Sequence, residues 1–263
     1  MNLTPATLAR ELEQYLRPQT FPLAINLLTS AEQIPEGARR PQPALGVRIT
    51  ICQGVGMARR YGWTIAIGRD DCSCPLAKSA FGLAPLLPFF EEGHTCAGMF
   101  TATPEAGART EAATPRLPYG AYPYVLIGPL AKAKLSPDVV LLYGNSAQVM
   151  RLVQGALWRE GGRLTSGFSG RIDCADEIIA PFETGEPQVI LPCNGDRIFG
   201  GATDEEMAFS FPYARAEEIL AGLTETHKHG VRYPVPNFLR FEASFPPSYE
   251  QLERLWNADA PES

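Results

Sequence analysis

Residues 139–162 read VVLLYGNSAQVMRLVQGALWREGG, and the fold class follows from this stretch. Val139, Val140, Leu141, Leu142 and Tyr143 form an apolar run of strand length. Residues 146–160 then carry the amphipathic pattern of a helix, which Gly161-Gly162 end. A strand feeding directly into a helix is the repeating unit of an α/β or α+β domain. The same alternation continues in both directions. Upstream, residues 21–28, 63–68 and 125–127 read as strands. Thr4 and Pro5 open a first helix whose inner stripe is Leu8, Leu12, Tyr15 and Leu16. Residues 45–60 satisfy both periods, which predicts a strand turning into a helix near Cys52, and residues 75–81 read as a helix behind Pro75.

Downstream, a helix starts within residues 173–181, strands occupy 189–191 and 208–211, and residues 214–228 form a helix. Ser248 and Gln251 form a capping box for a last helix reaching Trp256. Residues 104–113 carry a faint helical pattern inside 101–118, a stretch rich in Ala, Thr, Pro and Gly that reads as a surface loop excursion. With no linker-like break and no internal repeat, the expectation is a single α/β (or α+β) domain with a mixed sheet flanked by helices.

Composition narrows the function classes. Of 263 residues, 45% are apolar and 20% charged, which excludes a disordered chain. The 24 Gly and 24 Pro make the chain loop-rich without making it low-complexity. A net charge of −6 with no long basic run argues against a general nucleic-acid surface. Arg10, Glu11 and Glu13 interrupt any signal-like apolar run near the N-terminus, and no apolar stretch is long enough to span a bilayer. The expected address is therefore cytoplasmic, with no membrane partner, and the thiols there stay reduced.

Six cysteines, at 52, 72, 74, 96, 174 and 193, are then free thiols, metal ligands or catalytic groups. Most sit at strand-end loops or helix starts, where ligand sites collect and where a helix N-terminus favours the thiolate. Several thiolates converging on one crevice need a cation, and a metal or an iron–sulfur cluster is the natural occupant. Neither the paired C-x-x-C knuckles of a zinc ribbon nor the tight run of a bacterial ferredoxin is present. Any such site is assembled only by folding, and buried core thiols remain the competing reading.

Other features carry less. Asp196 and Arg197 follow Cys193 in a turn, where Arg197 can hold an anionic substrate group and Asp196 can accept a proton; pairing with each other is the plainer alternative. Arg171, three residues before Cys174, has the same double reading and leans structural. His94 lies two residues before Cys96 but in an exposed-looking turn, and His227 and His229 suit a helix C-terminus. Gly54-Val55-Gly56 lacks the third glycine of a dinucleotide fingerprint, no Walker motif exists, and Ser169 misses the nucleophile elbow by one residue. A flavin needs no single motif and stays open.

Four blocks carry a family resemblance: Ile51-Cys52-Gln53; Asp70-Asp71-Cys72-Ser73-Cys74-Pro75 leading to Ala80-Phe81-Gly82-Leu83; Gly170-Arg171-Ile172-Asp173-Cys174-Ala175-Asp176; and Pro192-Cys193-Asn194-Gly195-Asp196-Arg197. The chain resembles the uncharacterised ArCR family, a domain of unknown function, over most of its length. The resemblance implies the fold and groups Cys52, Cys74, Cys174 and Cys193, one per block, leaving Cys72 and Cys96 as extras. It implies no reaction.

The leading expectation is a cytoplasmic protein whose Cys52, Cys74, Cys174 and Cys193 ligate one [4Fe–4S] cluster. It would serve a redox partner protein or act as a cluster-dependent enzyme on a small molecule. One rival is a metal-free thiol enzyme using Cys193 or Cys74, with Asp196 and Arg197 orienting a small anionic substrate. The other is a non-catalytic binding module with structural cysteines.

Overall fold

The strand expected at 139–143 lies at the middle of a sheet, and its alternate residues face two different cores. The computed structural model describes residues 3–235 and 243–258. In chain order the first half holds α1 (Pro5–Leu16), β1 (Leu23–Leu28), α2 (Pro41–Leu45), α3 (Ile51–Tyr61), β2 (Ile65–Gly68), α4 (Pro75–Ala80), α5 (Pro88–Glu91) and α6 (Pro104–Ala113). The second half holds β3 (Tyr124–Pro129), β4 (Val139–Gly144), α7 (Ser146–Leu157), α8 (Ala180–Thr184), β5 (Gln188–Ile190), β6 (Met207–Pro212), α9 (Ala216–Lys228) and α10 (Pro247–Ala258). Two π-helical turns, Ala175–Ile179 and Asp196–Gly200, complete it.

The six strands form one sheet in the order β2-β3-β1-β4-β6-β5, and every pairing between them is antiparallel. Among the described residues, parallel pairing is confined to isolated bridges, at Arg39–Ile65, Ile49–Cys72 and Ala97–Thr101. The α and β class is as expected, whereas the mixed sheet reduces to those bridges. The reason the sequence suggested parallel pairs is burial. Continuous apolar strands usually mean a parallel sheet covered on both faces. Here helices cover both faces of an antiparallel one. Val139, Leu141 and Tyr143 of β4 face a core with Ile51, Val55, Phe81, Cys174 and Ile178, while Val140 and Leu142 face α1, α7 and α9 through Leu8, Leu12, Leu152 and Leu223.

Local signals set the helix starts. Thr4 caps α1 by accepting from Thr7 N, as the sequence suggests. Of the strand-to-helix change expected near Cys52 only the helix forms, the strand being reduced to an isolated bridge at Ile49. Thr50 starts the helix, its side chain accepting from Gln53 N at 2.9 Å while Gln53 Oε1 accepts from Thr50 N at 2.8 Å. Residues 101–118 are not a plain loop: they contain α6, in which Gly107 and Glu111 are buried. Glu111 is held there by Arg116, five residues on, and by Arg171, a tertiary partner invisible in the local composition.

Candidate metal centre

The cysteine-bearing segments all lie on one face of the sheet, the face carrying α3 and α4. Cys52 is the second residue of α3, just behind the Thr50 cap. Cys74 is itself the N-cap of α4, its Sγ accepting from Ala77 N at 3.5 Å, with Pro75 opening the helix. Cys174 precedes the first π turn, and Cys193 follows β5 and leads into the second.

Two glycines bring these segments together. A Cβ on Gly56 of α3 would lie 2.4 Å from Gly200 O, and one on Gly200 would lie 2.8 Å from Cys52 O. Only glycines let α3 press this closely against the turn that follows Cys193. The Gly54-Val55-Gly56 run, which fails as a nucleotide motif, thus has a packing role.

Cys52, Cys74, Cys174 and Cys193 all line one cavity of about 230 Å³, together with Arg171, Asp173, Met99, Phe100 and Phe199. Asp173 ties two of the cysteine loops. Its Oδ1 accepts from Cys174 N at 2.9 Å and from Cys193 Sγ at 3.1 Å, and its Oδ2 accepts from Cys193 N at 2.8 Å. Ile172, between Arg171 and Asp173, adopts φ +54°, a conformation rare for a β-branched residue, and it is buried. Such local strain persists where surrounding packing over-determines it, and it clusters at functional sites.

Burial favours the protonated form of Cys74, Cys174 and Cys193. A hydrogen bond to Cys52 and burial push the Cys174 thiol well up, and burial next to Asp173 does the same to Cys193. Burial also raises Cys74. Among the described residues, no three of the four sulfurs lie mutually within 4.8 Å; the tight set is Cys52, Cys174 and Asp173. A single tetrahedral zinc, at about 2.3 Å from each sulfur, needs them about 3.8 Å apart. Cys74 and Cys193 bring their sulfurs to the same cavity from outside this tight set.

The two extra cysteines differ. Cys72 is fully buried in the core, pushed up to about 12 by burial; its Sγ lies 3.7 Å from Cys74 O but does not line the cavity. Cys96 lies against Glu111 at 3.5 Å and does not line the cavity.

A second buried layer sits under the cysteines. Asp173, Glu177 and Asp196 place carboxylate oxygens within 4.8 Å of one another, all buried. Tyr143 OH lies against Glu177 and is 2.9 Å from Asp196 Oδ2. One phenol proton serves one carboxylate, so the other carboxyl must itself carry a proton to complete the pair. Burial, with Asp173 beside it, lifts Asp196 to about 7, and burial with Asp173 and Asp196 raises Glu177 well above the usual carboxylate range. Arg59 lies 4.1 Å over the Tyr143 ring and pairs with Glu206 at 2.6 Å.

The expected substrate residues fall elsewhere. Asp196 belongs to this inner layer, where it bonds Tyr143. Arg197 donates to Thr203 O at 2.7 Å and does not line the cavity. Arg171 does, so the residue read as structural is the basic group on the cavity wall. His94 is partly exposed beside Glu92, while His227 and His229 pack against Tyr15 and Trp158. Sequence reasoning missed Asp173, Glu177 and Tyr143. Asp173 and Glu177 flank Cys174, and that proximity is their one signal in the sequence; Tyr143, at the end of an apolar run, carries none.

Together these features define an α/β protein with a four-cysteine cavity on one face of an antiparallel sheet. The sequence pattern of one family matches residues 11–222, which include all four cysteines. The chain belongs to that family, the uncharacterised ArCR family or domain of unknown function 169. It is also similar to an uncharacterised protein of Methanocaldococcus jannaschii, MJ0308, at 29% identity over 205 residues, 76% of this chain and 85% of that protein. No solved structure matches it. Among the described residues, no helix is long and apolar enough to cross a membrane.

Proposed function

We propose that this is a cytoplasmic iron–sulfur protein that binds one [4Fe–4S] cluster through Cys52, Cys74, Cys174 and Cys193. One observation carries the reading: these four cysteines, drawn from four separate elements, line a single cavity that the two remaining cysteines do not line. The donor set fits, because soft thiolates select iron–sulfur clusters. The raised thiols fit too, since bound metal displaces their protons.

When bound, such a cluster supplies one-electron transfer. With four cysteine ligands no iron is left open to a substrate, which favours a redox role over substrate activation. The chain's own contribution is positional. Asp173 fixes the Cys174 and Cys193 loops relative to each other, the Gly56–Gly200 contact fixes Cys52 against them, and Phe100, Phe199 and Met99 wall the cavity with apolar surface.

The metal-free thiol enzyme is less well supported. Burial pushes Cys74 and Cys193 toward the protonated, unreactive form, and Arg197 is engaged away from the cavity. A mononuclear site on Cys52, Cys174 and Asp173 is the reading favoured by their proximity.

Anaerobic purification followed by iron, zinc and acid-labile sulfide assays separates these readings. The expected result is about four irons and four sulfides per chain, lost with serine at 52, 74, 174 or 193 and kept with serine at 72 or 96. Zinc without sulfide would replace the cluster with the mononuclear site. A metal-free protein would return the cysteines to a structural or nucleophilic role.

A further inference from the structure

We propose that Arg171 is the counter-charge of the cluster in this cavity, donating N–H groups toward it and raising its reduction potential. The inference rests on the iron–sulfur reading. Arg171 is the basic side chain on the cavity wall, and it is only 2% exposed. One side of its guanidinium is committed: Nη2 lies 2.7 Å from Glu111 Oε1 and 3.0 Å from Thr95 Oγ1. Its Nε and Nη1 are buried and have no protein partner. Three of the five N–H donors are therefore unanswered, in a place where an unpartnered donor costs far more than it does at the surface.

The local ion pairing does not cancel the charge. Glu111 is shared between Arg171 and Arg116, and Arg116 also donates to Ser79 Oγ at 2.6 Å. Two guanidiniums share this one buried carboxylate, so Arg171 is only partly neutralised behind the cavity. On the same wall Asp173 spends its carboxylate oxygens on the Cys174 and Cys193 loops, and the Phe100 ring lies 5.7 Å from Arg171 Cζ. A buried cation with free donors calls for an anion in the adjoining space. Four thiolates around a doubly positive iron–sulfur core carry a net charge of about −2, so the occupant supplies that anion. Adding an electron makes the occupant more negative. A fixed positive charge with N–H donors favours the reduced state and moves the potential upward.

The test is a potentiometric titration of the loaded protein, followed by the absorbance bleach and the paramagnetic resonance signal of the reduced cluster. Wild type is compared with Arg171→Gln, Arg171→Lys and Glu111→Gln, each first assayed for iron and sulfide. At the wild-type midpoint, Arg171→Gln is expected to lower the reduced-to-oxidised ratio at least tenfold, which is about 59 mV for one electron. Arg171→Lys keeps the charge without the fork and should fall between the two. Glu111→Gln removes the shared anion and should move the ratio in the opposite direction.

Loaded variants whose ratios stay within twofold of wild type overturn the inference and leave the iron–sulfur reading standing. Where Arg171→Gln loads no cluster, the sign of the Glu111→Gln shift decides, and an unmoved or negative shift overturns it. An iron-free wild type overturns both.

Discussion

Replacing Gly56 by Ala probes whether the contact between α3 and the Asp196–Gly200 turn assembles the cysteine cavity. The added Cβ would lie 2.4 Å from Gly200 O, whereas carbon and oxygen in ordinary close contact sit about 3.3 Å apart. The two backbones must therefore separate by about 0.9 Å, with Cys52 on one side and the Cys193 loop on the other. Overpacking of this kind costs about 1–3 kcal/mol, and Ala returns about 1 kcal/mol of helix propensity over Gly. The net loss of roughly 1 kcal/mol would lower Tm by about 3 °C for a chain of this size. The informative reading is metal content. Gly54→Ala has the same propensity gain, but its Cβ meets the terminal methyl of Ile67, which can turn aside. Both variants are purified anaerobically and assayed for iron, sulfide and thermal unfolding. Gly56→Ala should lose most of its iron while remaining folded, and Gly54→Ala should keep it. If Gly56→Ala retains a full complement of iron, the close approach of these glycines is not what positions the ligands.

Three further outcomes follow from the buried polar groups. Asp173→Ala strips the acceptors from the buried Cys174 and Cys193 N–H groups, and at about 1–3 kcal/mol for each it should destabilise the protein by roughly 3 kcal/mol in urea unfolding. Asp173→Asn keeps one acceptor oxygen and should lose clearly less; equal losses would count against the two-loop tie. Metal-free protein should lose stability as pH rises from about 4 to about 7. Over that window the native state keeps a proton on Asp196, lifted to about 7, while the unfolded chain has already released it, so the unfolded state is favoured progressively. Asp196 accounts for at most about 4 kcal/mol of this loss, with Glu177 and Asp176 adding to it; Asp196→Asn should make the profile shallower, and a profile unchanged by that substitution would refute the assignment. Arg59→Ala leaves Glu206 without its strong partner and removes the cation over Tyr143, and calorimetry should show a loss of about 3–5 kcal/mol.

The elements were legible in the sequence because each carries its own local cause. Thr4-Pro5 caps α1, Cys74-Pro75 opens α4, and the apolar run at 139–143 is β4. Pairing direction was not legible, since it depends on how helices cover the sheet. Helices on both faces erase the polar alternation that marks an ordinary antiparallel strand. The helix α6 was obscured for a related reason. Its Ala, Thr and Gly content is loop-like, and one of the two arginines that hold Glu111 inside is more than fifty residues away.

The site divides along the same line. The four cysteines could be singled out because thiols at element boundaries are chemically conspicuous wherever they fall. That they line one cavity could not, because segments up to 141 residues apart in sequence are brought together by the sheet, the Gly56–Gly200 contact and the Asp173 tie. Asp196 and Arg197 show the limit of reading a turn from its residues. Adjacent in sequence, they separate in space, Asp196 turning inward to Tyr143 and Arg197 outward to Thr203. A π-helical turn begins at Asp196, and its widened backbone sets which of the two faces the interior. The basic group on the cavity wall comes instead from Arg171, held in place by the left-handed Ile172 and by Glu111 from α6. Nothing local to residue 171 announces either constraint, so the residue that sets the charge of the cavity is readable only once the chain is folded.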